Sequence, residues 1–245
     1  MLARLVVAGL CLVPLATREG LAQPRLLDPQ LQARRVLSVP RNTIAIALDP
    51  LDNHLYMLNA NGDVSRLNPE ATAPALEKVY TTSDHGVRSA ASFNIGPDGA
   101  FYLVENKTNE FSTGIAEGKY NIVTLTKGVL DASTGNRRWS VLARTENYPL
   151  SGNNFDHKAN GIAISPDNRY VFLNSGSRTD HGEVQENGGT FPGVREVPLS
   201  SAIFRLPTNG EELILRADEG SLRASGHLYA DGLRNAYDLA FDREG

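Results

Sequence analysis

The sequence contains a single cysteine, Cys11, which excludes an internal disulfide and a zinc–thiolate centre. It also lacks an excess of positive charge. With 24 Lys and Arg against 28 Asp and Glu, the formal net charge is −4, which gives no footprint for nucleic acid or an anionic membrane surface. Beyond its first residues it has no apolar run of the length that a membrane-spanning helix needs, so no span is expected in the mature chain. Helical periodicity is nowhere sustained over several turns. Also missing are the phosphate cradle Gly-x-x-x-x-Gly-Lys-Ser/Thr, the nucleophile elbow Gly-x-Ser-x-Gly and the zinc helix His-Glu-x-x-His.

What is present reads as strands. At 245 residues, with 41% hydrophobic and 21% charged content, the chain can bury a sizeable core. Ile162 to Ile164 form an apolar run, Pro166-Asp167-Asn168 turns the chain, and Tyr170 to Leu173 runs back. The same hairpin pattern occurs at Ile44 to Pro50 with Leu55 to Leu58, and at Phe93 to Gly99 with Phe101 to Val104. A fourth copy opens at Leu239 to Arg243. The turn markers Pro50, Pro97, Pro166 and Asp242 are separated by 47, 69 and 76 residues, which is a repeat of blade size with insertions. Further short strands are expected at Asp63 to Leu67, Asn121 to Thr126, Trp139 to Leu142 and Ala202 to Leu206. An all-β fold of radially repeated four-stranded sheets, a β-propeller, accounts for this pattern better than a two-sheet sandwich. The insertions Glu105 to Lys119 and Thr179 to Arg195, rich in Gly, Asn, Glu and Thr, read as surface loops.

Residues 1–23 read as a signal peptide rather than as part of the fold: Arg4 is the positive start, Leu5 to Ala16 the apolar core, and Gly20-Leu21-Ala22 a small-x-small cleavage site. The alternative is an N-terminal helix packed on the domain. Export to a periplasm or beyond is the expectation, with a partial propeller over 24–245 and Pro24 to Val39 as an incoming strand or a linker.

One histidine stands where chemistry is expected. His157, next to Asp156, sits at the mouth of the Ile162 strand. The segment Asp156-His157, Gly161 to Asp167 and Asn174 to Arg178 resembles the soluble glucose/sorbosone dehydrogenases, which use pyrroloquinoline quinone (PQQ) on a six-bladed propeller. The run Ser201 to Arg205, followed by Asp231 to Asp242, is similar to that family's Gly-x-Arg-Asn-Pro-x-Gly-Leu-Ala-Phe signature, with Ala236 and Asp238 in place of its Pro and Gly. The resemblance implies His157 as general base, Asp156 as a substrate-binding neighbour, and Arg234 and Asn235 as contacts to the quinone. It also implies a calcium ion, for which no ligand is assigned in this chain, a sugar or polyol substrate, and an electron acceptor of unspecified identity. Because the segment that furnishes calcium-binding carbonyls in that family would follow Gly245, a truncated member with three to four blades is expected.

The residue types suit the task. An imidazole with a pKa near neutrality can take an O–H proton while a hydride leaves carbon, and a guanidinium presents a planar set of donors to quinone or carboxylate oxygens. Other readings stay open. His157 could be a hydrogen-bonded structural histidine, Asp156 an Asx-type turn, and Arg234-Asn235 a tie between blades. Arg41-Asn42 and Asp84-His85 repeat the same dipeptides elsewhere, which fits a blade-mouth device, and His85 reads as structural. His54, His181 and His227 receive no role. A calcium-dependent lactonase-type hydrolase and a non-catalytic glycan- or protein-binding propeller are the competing functions.

Overall fold

The computed structural model describes residues 27–33, 35–113, 116–151, 156–179 and 195–242. The expected signal peptide and residues 180–194 of the second polar insertion lie outside the described residues. The chain divides into two units, Met1–Val36 and Leu37–Gly245. All the strands and helices of the described residues belong to the second unit, so Pro24 to Val39 contributes no strand among its described residues.

The fold is all-β. The first sheet is an antiparallel meander of β1 (Thr43–Leu48), β2 (Leu55–Asn59), β3 (Val64–Leu67) and β4 (Glu77–Tyr80). After a helical turn, α1 (Thr82–His85), the second sheet repeats the meander with β5 (Ala90–Ile95), β6 (Phe101–Thr113), β7 (Ala116–Leu130) and β8 (Arg137–Thr145). A short β9 (Tyr148–Pro149) pairs with β7. The third sheet begins with β10 (Ile162–Ile164), β11 (Tyr170–Ser175) and β12 (Ala202–Pro207). The chain then leaves to place β13 (Leu213–Leu215) parallel to β8, forms α2 (Glu219–Ala224), and returns as β14 (Leu228–Asp231) beside β12.

Each first hairpin turns by the same local chemistry. The carboxylates of Asp49, Asp98 and Asp167 accept from the backbone N–H groups of Leu51, Ala100 and Arg169 at 2.9, 3.0 and 3.1 Å. A left-handed residue then completes each turn: Asn53, Gly99 and Asn168, with φ of 57°, 72° and 58°. Asp and Asn are the side chains that hold such turns and tolerate that backbone. The expected fourth copy differs: Leu239 to Asp242 forms no strand.

The second sheet is buried on both faces because successive side chains of a strand point oppositely. From β6, Phe101 and Leu103 enter a core shared with the first sheet, alongside Tyr56, Leu58, Val64 and Phe93. Tyr102 and Val104 enter a second core with Val123, Leu125, Val171, Leu173 and Phe204. The apolar run Phe101 to Val104 is therefore fully buried throughout.

The Glu105 to Lys119 insertion is a correction to the surface-loop reading. β6 and β7 continue through it as one long hairpin, paired from Phe101 with Gly128 out to Thr113 with Ala116. Backbone pairing satisfies its polar groups without any apolar pattern, so periodicity does not report it.

The Asp84-His85 pair has a structural task. The Asp84 carboxylate accepts from Thr81 N–H at 2.7 Å in a capping box. His85 Nδ1 accepts from Val87 N–H at 3.1 Å, and the ring packs against Trp139 with centroids 5.1 Å apart. Desolvation by burial lowers its pKa, opposed first by the backbone of Gly62 and then by the carboxylates of Asp84, Asp63 and Glu105. A histidine kept neutral by folding contributes stability that is fully present above its unfolded value and is lost as pH falls through and below it. Urea midpoints measured at about pH 7.5 and 5.5, either side of the ordinary histidine value, should fall more in the native chain than in His85→Gln. Equal falls would remove His85 from the acid sensitivity.

Candidate functional site

Asp156 and His157 lie on the connection between β9 and β10, and Arg234 and Asn235 follow β14. The two segments meet at the end of β11. The backbone N–H of His157 donates to Ser177 O at 2.9 Å, and Ser177 N–H donates to Arg234 O at 2.7 Å. The segments carrying His157 and Arg234 are thus both hydrogen-bonded to the backbone of one residue, Ser177.

Two glycines make the approach possible. A Cβ on Gly176 would lie 2.4 Å from the His157 Cβ, and one on Gly161 would lie 2.7 Å from Ala236 O. Both are far inside contact distance, so a side chain at either position displaces a site segment. Gly176→Ala should cost about 1–3 kcal/mol as an overpacked position and shift the His157 resonances. Urea unfolding together with the imidazole NMR signals checks this; an unmoved ring at full stability would refute the contact.

The His157 segment is anchored on the β6–β7 hairpin as well as on β11. Leu150 N–H donates to Lys119 O at 2.8 Å, Asn106 Nδ2 donates to Ala159 O at 2.8 Å, and Lys158 Nζ donates to Thr108 Oγ1 at 2.9 Å. Behind it runs a buried polar chain. Asn121 Nδ2 donates to Asn106 Oδ1 at 2.9 Å and to Tyr148 Oη at 2.7 Å, Tyr148 Oη lies 3.4 Å from Ser175 Oγ, and Ser175 Oγ donates to Leu199 O at 2.6 Å. Burial raises the Tyr148 pKa, so this hydroxyl serves as a neutral hydrogen-bonding group.

The four expected residues have distinct surroundings. His157 is half-buried, and its Nε2 is shielded from solvent with no hydrogen-bond partner among the described residues. Asp156 Oδ1 accepts from both the N–H and the hydroxyl of Ser151, at 2.7 and 2.8 Å, a bond to a residue five positions earlier rather than the local bond of an Asx-type turn. Arg234 is exposed, and its carbonyl accepts from the residue-177 N–H that follows β11. Asn235 is also exposed, and its Oδ1 accepts from Asn160 Nδ2 at 3.0 Å.

Sequence reasoning assigned no role to Asn160, Asn174 or Arg178. Asn174 Oδ1 accepts from the backbone N–H groups of Asn160 and Gly161, both at 2.9 Å, and so shapes the approach to β10. Arg178 is fully buried. Desolvation lowers its pKa, against the charges of Glu196 and Asp156. Glu196 also accepts from the N–H groups of Arg178 and Thr179, at 3.0 and 3.1 Å, and from Ser200 Oγ at 2.7 Å. The signal for these residues was a polar run, Asn174 to Thr179, continuing directly from an apolar strand.

No group of three or more His, Cys, Asp or Glu side chains that could hold a metal ion occurs among the described residues. No described helix is long and apolar enough to cross a membrane. Neither a protein-family model nor a curated protein matches the chain.

Proposed function

We propose that the chain oxidises a hydroxyl of a sugar or polyol with PQQ as hydride acceptor and His157 as general base. The observation that carries this reading is the buried Nε2 of His157, which has no hydrogen-bond partner among the described residues. An orphaned buried acceptor or donor costs about 1–3 kcal/mol; among the described residues His85 Nε2 shares this state, and what sets His157 apart is that its segment and the one carrying Arg234 and Asn235 bond to the same residue, Ser177. The Asp156–Ser151 clasp and the His157 N–H to Ser177 O bond hold the imidazole's backbone on both sides.

Arg234 and Asn235 fit the cofactor role by their chemistry. Both are exposed on the segment flanking Ser177, and together they offer a fixed positive charge and an amide to carboxylate and quinone oxygens. The chemistry supplied by the quinone when bound is hydride acceptance. In the same event the substrate O–H proton passes to Nε2 of His157, so the alcohol carbon loses two electrons and becomes a carbonyl. Calcium is part of this proposal without a ligand set on these residues.

The architecture we propose is a β-propeller of the six-bladed quinoprotein type, in which the three sheets are consecutive blades. Three features support it: each sheet is built on a four-stranded meander, β1 and β10 both adjoin β5, and the two end sheets carry apolar outward faces. Ile44, Ile46 and Leu48 alternate outward on β1 with 37%, 56% and 54% exposure, and Phe172 and Tyr229 meet edge to face at 4.9 Å on the third sheet. Export belongs to the same reading and rests on the Arg4, Leu5 to Ala16 and Gly20-Leu21-Ala22 pattern.

The test is to incubate the full chain with PQQ and calcium and to follow dye reduction with a panel of aldoses and polyols. Saturable turnover with at least one is expected. Absence of turnover with all of them, or calcium-dependent lactone hydrolysis without quinone, would overturn the proposal.

A further inference from the structure

The strands β1, β5 and β10 are each paired on one side only among the described residues, because each ends its sheet. They lie next to one another, with β5 in the middle. Where they meet is a cleft of about 270 Å³, near the lower bound of roughly 300 Å³ for small-ligand sites. Its lining includes Ala45, Ser92, Asn94, Asn160, Tyr237 and Asp238. An edge strand presents a row of backbone N–H and C=O groups, and one such contact is visible here: Asn94 Nδ2 reaches across from β5 to the carbonyl of Ile162 on β10, at 3.2 Å. Asn160 Oδ1 is buried beside the cleft without a hydrogen-bond partner, while its Nδ2 holds Asn235.

This lining has a definite chemical character. Strand edges, the Ser92 hydroxyl and Tyr237 line it beside the apolar Ile44, Ile46 and Phe93; Asn94 already bonds Ile162 O and Ile95 N–H, so Asn160 Oδ1 is the open amide atom, and Asp238 is the single charged group. Phosphates and carboxylates lack a cation there, and a purely apolar molecule would strand the polar lining. A neutral molecule carrying many hydroxyls meets it, because each hydroxyl both donates and accepts. We infer that the cleft between β1, β5 and β10 is a binding site for a small polyhydroxylated ligand, separate from the reacting hydroxyl at His157. Asn160 links the two regions: its Oδ1 receives a ligand hydroxyl, and its Nδ2 fixes Asn235.

The inference requires neither the quinone nor the base, so its test leaves both out. The full chain is titrated with D-glucitol and with myo-inositol in the absence of PQQ and calcium, and backbone amides are followed by NMR. Saturable shifts centred on residues 44–46, 91–94 and 160–162 are expected, and their position locates the ligand without any variant. Ser92→Val, which fills the cleft and removes a hydroxyl, should weaken binding by about tenfold, roughly the upper end of one hydrogen bond. His157→Gln should bind as the native chain does. Failure of both polyols to bind, loss of binding in His157→Gln, or binding of calcium alone that disappears in Asp238→Asn would each overturn the inference. A failure of sugar oxidation with these shifts intact would count only against the dehydrogenase reading.

Discussion

Phe101→Ala is expected to lower the unfolding free energy by about 3–5 kcal/mol, the range for truncating a buried aromatic. Phe101 has no exposed surface and sits where the first two sheets meet. Its ring makes edge contacts with Tyr56, Phe93 and Tyr80 at centroid distances of 4.8, 5.4 and 5.9 Å. The Arg137 guanidinium covers it at 3.7 Å while donating to Gly99 O and Gly128 O at 2.9 and 2.8 Å. Truncation therefore removes the edge contacts and the cation–π partner and leaves a cavity whose walls are strands of two sheets. Those strands are held by their ladders and cannot collapse freely, which puts the cost in the upper part of the range. Urea unfolding at neutral pH measures it. A loss below about 1 kcal/mol would mean that the two sheets pack independently of this ring. Phe101→Leu, which keeps most of the volume, should recover more than half of the loss.

How far the fold could be read from the sequence follows from how local each determinant is. The hairpins β1–β2, β5–β6 and β10–β11 were legible because Asp49, Asp98 and Asp167 and the left-handed residues after them act within a few residues. The extended β6–β7 hairpin was not, since Glu105 to Thr108 is polar and the ladder partners from Asn121 to Thr124 set its conformation. β13 was missed for a stronger reason: it joins β8 in parallel, far along the chain, and a parallel contact leaves no local turn signal. At the site, the dipeptides Asp156-His157 and Arg234-Asn235 stood out by type and by position before a strand. That both dock on Ser177, and that Gly176 and Gly161 make room for them, depends on contacts between segments distant in sequence. The repeat also misled locally. Asp84-His85 has the residues of Asp156-His157, but Asp84 caps α1 and His85 packs on Trp139.

Replacing His157 separates a catalytic from a structural imidazole by two measurements that move in different directions. In a chain loaded with PQQ and calcium, His157→Gln should lower kcat by about 10²- to 10⁴-fold, the usual contribution of a positioned general base, with KM changed far less. The backbone bond from residue 157 to Ser177 O does not involve the side chain, so the loop stays anchored. His157→Phe then tests the energetic side. Its ring fills similar space and removes the buried Nε2 that lacks a partner, so stability should hold or rise by up to about 1–3 kcal/mol while oxidation is lost. A side chain kept for packing would give the reverse, with stability falling in both variants and kcat preserved in Gln. The two variants together therefore ask whether the chain carries an unfavourable buried group for the sake of a reaction, which is the usual form of the trade between stability and activity.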